Sequence, residues 1–235
     1  VFLGVVIALA ANEAVQEWTW YRKVQDAEIR LAQESRVLFA WHAEIVVTQP
    51  CVDAQLERIG RGVLASGDML EPAPIHQSSG GTRFVVRIPG RPYVFATWSA
   101  MGADGTATHF ARDRQQQINR IASGASQARE WQVERQRLLG RLQVMRDAIP
   151  LDAGVRAALL TDIHQSRLLG ENMALSARQQ MTGIVEAFGR PDDSRVDAFL
   201  GGVPDPQGLV DVSGTVAFCK QQGFPLADWR SEEKQ

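Results

Sequence analysis

Two cysteines are the residues whose placement in this sequence most directly permits chemistry. Cys51 and Cys219 stand far apart and belong to neither a CxxC motif nor a Cys/His cluster with metal-ligand spacing. In an oxidising compartment such a pair can form a disulfide, and closing a loop longer than about 100 residues restricts the unfolded chain by roughly 4 to 5 kcal/mol in the entropic model. We therefore expect a disulfide between Cys51 and Cys219. Two separately buried thiols are the alternative if the domain lies in the cytoplasm.

The other titratable residues do not converge on a catalytic or metal site. The histidines are dispersed over separate segments without a second ligand at metal spacing on the same helical face: His42, His76, His109 and His164. Asp192, Asp193 and Asp197 follow a proline, where negative charge favours a helix N-terminus. No GxSxG, HExxH or SxxK motif occurs, and no glycine-rich loop opens a helix after a strand. We expect no catalytic residue, no cofactor and no metal; an enzyme with a site built from loop 67–91 and the tail is the alternative.

Three aromatic residues in one short segment form a candidate platform for a ligand or partner. Tyr93, Phe95 and Trp98 could dock another molecule, or they could anchor a short helix on a hydrophobic core. Core packing needs fewer assumptions, so we favour it. The Arg/Gln-rich run at 112–146 is likewise interpreted as the solvated side of a long helix, with a partner-facing surface as the alternative.

The composition is that of an ordinary folded chain without a preference for nucleic acid. Of its 235 residues, 45% are hydrophobic and 22% are charged, which argues against disorder and against a protein with many membrane spans. The net charge is −2, and the 25 basic residues are scattered and do not form a stripe. We expect one helical domain that does not bind nucleic acid.

The first residues carry the pattern of a membrane anchor. Residues 1–11 are uninterruptedly apolar, and an aromatic and basic boundary follows them at Trp18, Trp20, Tyr21, Arg22 and Lys23. Because a span needs about 20 apolar residues, we expect more of them before Val1. A cleaved signal peptide is the alternative, but no small-x-small cleavage site leads into a loop.

The apolar spacing then predicts a series of helices. A stalk helix is expected at 24–47, and Thr48-Gln49-Pro50 should end it because proline lacks an N–H donor. A second helix would start at Pro50 and stop near residue 66. Residues 67–91 are rich in turn signals, including Ser78-Ser79-Gly80-Gly81, and only 83–88 could form a strand. A short helix at 92–101 follows.

Two long helices are predicted after this, at 108–149 and 152–188, and the short link at Pro150 makes them antiparallel neighbours. The apolar residues of 128–149 follow the a and d positions of a coiled-coil heptad except at Arg135. The sequence also allows an interruption of the first long helix near Ser123-Gly124. Small residues at Ser166 and Gly170 would let a neighbouring helix approach closely. The fold class is therefore all-α, with a long N-terminal helix and an antiparallel bundle.

Beyond Pro191 the helical periodicity is lost, and the chain becomes rich in glycine and proline at Gly201-Gly202, Pro204, Pro206 and Gly208. We expect only short helices there, at about 194–200 and 214–222, in a tail that lies on the surface. The expected organisation is an anchor at 1–23 that is truncated at its start, a helical domain at 24–190, and an irregular tail at 191–235 packed on the domain.

Several segments resemble a known family. The run Gly4-Val5-Val6-Ile7-Ala8-Leu9-Ala10-Ala11-Asn12-Glu13 is similar to the GVLIALAxNEW-type anchor of an uncharacterised proteobacterial family of N-terminally membrane-anchored helical proteins. Further similar segments follow in order: Pro50-Cys51-Val52, Gln55-Leu56, Pro89-Gly90-Arg91-Pro92, Trp98 and Phe188-Gly189. The likeness covers most of residues 1–190 and departs at Ala14-Val15, where the family commonly has an aromatic pair. It implies an anchor and an extracytoplasmic helical domain, and it implies no activity.

These observations favour a non-catalytic interaction or assembly protein in the bacterial inner membrane. The chain would be single-pass, with its domain in the periplasm and with a protein partner or a second copy of itself. Arg22 and Lys23 alone would place the domain in the cytoplasm, whereas the resemblance and the cysteine pair favour the periplasm. The alternatives are an extracytoplasmic ligand-sensing domain and an enzyme with a site built on loops.

Overall fold

The computed structural model describes residues 2–77, 81–202 and 214–230 and gives no side-chain placement for residues 2–6 and 8. The predicted all-α fold is confirmed. The helices are α1 Phe2–Ala65, α2 Ala96–Asp104, α3 Arg112–Arg141, α4 Ala153–Phe188, α5 Asp193–Gly201 and α6 Gly214–Gln221. Two-residue strands form two small antiparallel pairs: β1 Met69–Leu70 with β4 Ile149–Pro150, and β2 His76–Gln77 with β3 Arg83–Phe84. The expected turn at 78–80 and the prolines 204 and 206 fall outside the described residues.

Helix α1 runs through Pro50, so the predicted break at Thr48-Gln49-Pro50 is wrong. An interior proline costs a helix about 3 kcal/mol. On both sides of it, however, α1 buries apolar side chains, each worth about 1.5 to 3 kcal/mol, at Ile45, Val46, Val47, Val52 and Leu56. Tertiary burial therefore outweighs the local signal, and the stalk and the second predicted helix are one element.

Helix α4 is central to the bundle and packs against both α1 and α3. The pairs Gly124 with Gln180 and Arg141 with Asp162 show that α3 and α4 are antiparallel, as predicted. The α4 positions predicted to face inward are buried or half-buried, among them Leu159, Ile163, Met173, Ala177, Met181 and Ile184. The Asp152 carboxylate caps the first turn of α4 by accepting the Val155 N–H at 2.8 Å.

Helix α3 departs from the prediction at its C-terminal end. It stops at Arg141, a 3-10 turn covers Leu142–Arg146, and Ile149 pairs with Leu70 in a strand. The expected interruption at Ser123-Gly124 is absent because α3 is continuous there. Gly124 instead allows close approach, since a Cβ at this position would lie 2.0 Å from the side chain of Gln180. The heptad positions Ala128, Leu138 and Leu142 are buried inside this chain, and a coiled coil stays a prediction.

Helix α2 begins at Ala96, later than the predicted residue 92. Both oxygens of Glu34 on α1 accept backbone N–H groups at its first turn, from Ala96 at 2.7 Å and from Thr97 at 3.0 Å. A carboxylate 62 positions earlier in the chain thus satisfies donors that are otherwise free at a helix start. Tyr93 precedes the helix with a positive φ of 43°.

The described part of the C-terminal tail is built into the core, contrary to the expected surface tail. Val196, Phe199, Val216 and Trp229 are buried in the main hydrophobic cluster. Ala227 donates its backbone N–H to the carbonyl of Val47 at 3.0 Å, in the turn of α1 ahead of the proline. The short helices α5 and α6 agree with the predicted ones within a residue. The tail therefore completes the bundle.

Candidate functional site

A cleft of about 730 Å³ opens beside the bundle, between the segment 83–91 and the C-terminal end of α3, with the start of α6 as its third side. Its wall is contributed by parts of the chain that are remote in sequence. The lining combines arginines with apolar side chains and includes Glu44, Arg83, Phe84, Val86, Arg87, Ile88, Arg91, Leu139, Arg146, Gly214 and Thr215. We refer to this space as the arginine cleft.

The cleft is strongly basic, with Arg83, Arg87, Arg91 and Arg146 lining it against one acidic residue, Glu44. Arg91 forms a two-bond ion pair with that glutamate, from Nε to Oε2 at 2.6 Å and from Nη2 to Oε1 at 3.3 Å. In the described part of the chain, no carboxylate lies within ion-pair distance of the other three guanidinium groups. The described wall of the cleft thus carries positive charge that its own residues do not neutralise.

Arg87 is half-buried at the centre of this wall. Its guanidinium lies 5.6 Å from the ring centroid of Phe218 and beside Gly214, where a Cβ would come within 2.7 Å of Nη2. Burial lowers the pKa of Arg87, while the charge of Glu44 acts in the opposite direction. The guanidinium nevertheless stays charged at neutral pH, because arginine is not deprotonated in proteins. A partly desolvated positive charge is therefore held at the cleft.

Two buried glutamines fix the backbone of the segment that carries these arginines. Gln55 of α1 accepts the Arg87 N–H at 2.8 Å and donates to the Arg87 carbonyl at 3.2 Å. Gln132 of α3 does the same for Arg91, accepting its N–H at 3.1 Å and donating to its carbonyl at 2.8 Å. Each side-chain amide thus pairs with both the N–H and the carbonyl of one residue, as the backbone of a neighbouring strand would. The irregular segment is consequently anchored to α1 at Arg87 and to α3 at Arg91.

A layer of buried and half-buried polar groups lies between α1, α3 and α4. Arg135, the discordant residue of the heptad pattern, is 2% exposed and donates from Nη2 to Oε1 of Gln49 at 3.1 Å. Gln49 in turn donates to Asp53 at 2.8 Å. Burial lowers the pKa of Arg135 to about 10, and the charges of Asp53 and Tyr93 oppose that shift. Gly170 of α4 leaves the space that the Arg135 side chain occupies. The small residue predicted to allow close approach of a helix therefore also makes room for a buried side chain.

His42 is buried in α1 next to Tyr93, with 5.6 Å between the ring centroids. Burial lowers the pKa of His42 to about 4, so the imidazole is neutral at physiological pH. Burial also raises the pKa of Tyr93, with the Glu44 charge adding to the effect. Both groups face the core and not the cleft lining, which gives them a packing role. Phe95 is buried in the same cluster, and Trp98 packs at its edge and donates to Asn119 at 2.8 Å.

The two cysteines come together with disulfide geometry, and their Cα atoms are 6.0 Å apart. Both are fully buried and pack with Phe218. The pair ties α6 to α1, and the first residues of α6, Gly214 and Thr215, are the third side of the cleft. The cross-link therefore fixes one wall of the arginine cleft. This agrees with the expected pairing and adds a role that sequence reasoning did not foresee.

The residues of the expected membrane boundary occupy different environments. Trp18 and Tyr21 are exposed on α1, and Arg22 covers the Trp18 ring at 4.6 Å. Trp20 is instead stacked on His109 with 4.0 Å between the ring centroids, and Lys23 covers its ring at 4.4 Å. The 3-10 turn Thr106–His109 thus lies level with this boundary.

The other titratable residues singled out in the sequence form no metal-ligand cluster in the described part of the chain. The histidines remain apart, and no group of three or more potential metal ligands occurs within the described ranges. Asp192 caps α5 by accepting the Ser194 N–H at 2.9 Å, and Asp193 and Asp197 both bind Arg230. The arginine cleft itself was missed from the sequence. Its signal was present in Arg83, Arg87 and Arg91, which recur at every fourth position of a segment interpreted as irregular with one possible strand at 83–88.

Neither a membrane-spanning helix nor a known relative identifies the described part of this chain. Within the residues that the structure places, no helix is long and apolar enough to cross a membrane. A comparison of the chain with protein-family models, with curated proteins and with solved structures found no match.

Proposed function

We propose that this chain is a membrane-held interaction protein without catalytic activity, whose helix α1 both reaches into the bacterial inner membrane and forms part of the folded domain. The observation that carries the proposal is the continuity of α1. Its 64 residues include an exposed first part and a buried second part in one helix. Attachment of the N-terminal end of α1 to a membrane would therefore be connected to the bundle by a continuous helix and not by a flexible linker.

The exposed first part of α1 has the chemistry expected of a membrane-facing segment. Ile7, Leu9 and Val15 are 60%, 60% and 61% exposed, which is unfavourable for apolar side chains in water. Trp18 and Tyr21 follow them, and amphipathic aromatic rings of this kind favour the interface between lipid and water. Insertion of this end of α1 into lipid would remove the apolar side chains from water.

The domain would begin directly at the membrane surface. Among the α1 residues whose side chains the structure describes, the first fully buried one is Ala27, only four positions after Lys23. Because Trp20 stacks on His109, the 3-10 turn before α3 would rest on the head groups together with the aromatic boundary. The buried cysteine pair supports a periplasmic location for the domain, since disulfides persist in oxidising compartments.

Flotation of the full chain with lipid vesicles tests the proposal. The chain should float with zwitterionic vesicles and remain with them in high salt, because apolar insertion is not screened by ions. The double variant Ile7→Asp/Leu9→Asp should stay in the dense fraction, since a charge within the bilayer costs about 2.5 to 3.5 kcal/mol. The matched control is Val133→Asp/Leu175→Asp, which changes two similarly exposed apolar residues of the bundle.

The control variant should float like the parent chain. The proposal is wrong if the parent chain stays in the dense fraction, or if the variant in α1 floats as well as the control does. Cross-linking in native membranes, followed by identification of the linked proteins, then separates a protein partner from a second copy of this chain.

A further inference from the structure

We propose that the arginine cleft binds a small organic phosphate, made of a doubly charged phosphoryl head and an apolar body. The inference goes beyond the proposed membrane attachment and does not depend on it. It stands on the size of the cleft, its unbalanced charge, its fixed backbone and its apolar inner wall.

The volume of about 730 Å³ suits a small molecule better than a peptide or a protein surface. Sites for small ligands and cofactors commonly enclose about 300 to 1,000 Å³. The cleft is also assembled where three parts of the fold meet, which is where such sites usually lie. A ligand the size of a phosphate ester with a short alkyl or aromatic group would fit within it.

The charge of the wall selects an anion with more than one negative charge. Because Arg91 is paired with Glu44, the described wall presents Arg83, Arg87 and Arg146 without carboxylate partners. Arginine binds phosphoryl oxygens through two parallel N–H bonds, and such charge-assisted bonds are about twice as strong as neutral ones. A single carboxylate would leave most of this charge unbalanced, whereas a phosphate monoester carries a charge close to −2.

The arginines are held before any ligand arrives. Gln55 and Gln132 fix the backbone of Arg87 and Arg91, and Arg146 donates from Nη2 to the Arg83 carbonyl. Among the described residues, the buried Nε of Arg146 has no hydrogen-bond partner. A preorganised site loses less conformational entropy when it binds. The two bonds from Gln55 engage only the backbone of Arg87 and do not occupy its guanidinium donors.

The inner wall beside the arginines is apolar. Val86 and Leu139 are buried, and Phe84 and Ile88 are half-buried along the same cleft. Inorganic phosphate would leave this surface in contact with water, while an alkyl or aryl group would cover it and be favoured by the burial of apolar area. The ligand is therefore expected to be amphipathic. A soluble phosphate ester and the head of a phosphatidic acid are two sources of this same chemistry.

Isothermal titration calorimetry on the full chain tests the site with defined probes, in zwitterionic lipid nanodiscs if the chain floats with vesicles and in buffer if it does not. Hexyl phosphate should bind at least tenfold more tightly than inorganic phosphate, hexanoate or hexanol. Dihexanoyl phosphatidic acid provides the lipid arm of the same experiment. Tighter binding of this probe than of hexyl phosphate would assign the ligand to lipid, and the reverse order would assign it to a soluble ester; both results support the site.

Variants separate the site from general charge effects. Arg87→Ala should weaken binding of hexyl phosphate at least tenfold, and Arg87→Lys should recover only part of it because lysine lacks the planar fork. Arg129→Ala removes the same charge from an exposed position on α3 and should leave binding unchanged. Thermal unfolding of each variant shows whether the fold is intact.

The proposal is overturned if folded Arg87→Ala binds hexyl phosphate like the parent chain, or if Arg129→Ala loses as much affinity as Arg87→Ala. It is equally overturned if hexanol binds as tightly as hexyl phosphate, since binding would then be apolar only. Failure of the flotation experiment would leave these outcomes unaffected, because the readout is ligand affinity in the folded domain.

Discussion

Gly170 of α4 lies against the guanidinium group of Arg135 of α3, so closely that a Cβ at position 170 would stand 2.2 Å from Nη2. The same Cβ would lie 2.6 Å from the amide atoms of Gln49 on α1. Three helices therefore meet at one glycine, and a buried arginine uses the space that the missing side chain leaves. This contact explains how the bundle tolerates a charge at a position where the heptad pattern calls for an apolar residue.

Gly170→Ala should destabilise the fold by about 1 to 3 kcal/mol, because the added methyl group must displace Arg135 or Gln49 in a packed interior. The control is Gly183→Ala on the same helix, where no atom outside the helix backbone lies within 4 Å of the added Cβ. That control should be stabilised by up to about 1 kcal/mol through helix propensity. Urea denaturation measures both variants. Equal stability changes in the two would show that Arg135 does not occupy the space at Gly170.

Gln132→Ala should loosen the segment that lines the arginine cleft. The change removes one bond to the N–H and one to the carbonyl of Arg91, and unpaired backbone groups cost about 1 to 3 kcal/mol. Amide hydrogen exchange at Arg91 should become at least tenfold faster. Gln127→Ala, at an exposed position of α3, should leave that rate unchanged. Unchanged protection of Arg91 in the first variant would contradict the clamp.

Cys51 and Cys219 should resist alkylation in denatured protein prepared without reductant, and both should react after reduction. The double variant Cys51→Ala/Cys219→Ala should lose about 2 to 5 kcal/mol of stability, since the bridge closes a sequence separation of 168 residues. Mass spectrometry and urea denaturation measure these effects. Two reactive thiols in unreduced protein would refute the bridge and would weaken the argument for a periplasmic domain.

Stability should fall as the pH drops from about 6.5 towards 4, in part because of His42. Its pKa is lowered by burial from 6.5 to about 4 in the folded chain. Between these values the unfolded chain binds a proton at His42 that the folded chain does not. The stability that the neutral His42 contributes is therefore present above pH 6.5 and is lost progressively as the pH falls towards 4. The effect is at most about 3 kcal/mol.

Urea denaturation at pH 7 and pH 4.5 measures this dependence. His42→Leu should flatten it, because the substitution keeps the bulk and removes the titrating group. His164→Gln, at an exposed position of α4, should retain the parent profile. The assignment to His42 is wrong if the leucine variant loses as much stability between the two pH values as the parent chain does.

The sequence by itself determined those elements whose signals are local. Helix α4 starts after Asp152 because that carboxylate caps the first turn, and it ends before Gly189, whose φ of 79° is costly for other residues. The inward face of α4 followed from apolar spacing alone. The cysteine pairing was also accessible, because a chain with two cysteines has only one possible internal bridge. For the bounds and the inward face of α4, residues close together in sequence carry the relevant free energy, whereas the cysteine pairing follows from the number of cysteines alone.

Only the tertiary structure decided the features that depend on distant residues. Pro50 remains inside α1 because burial on both sides outweighs its local cost, and Ile149 leaves its helix because Leu70 offers a strand partner. The arginine cleft needs Glu44, the segment 83–91, the end of α3 and the start of α6 in one place. No local sequence pattern predicts that these segments come together. Their relative positions are set by the packing of α1, α3 and α4 and by the disulfide that links α6 to α1.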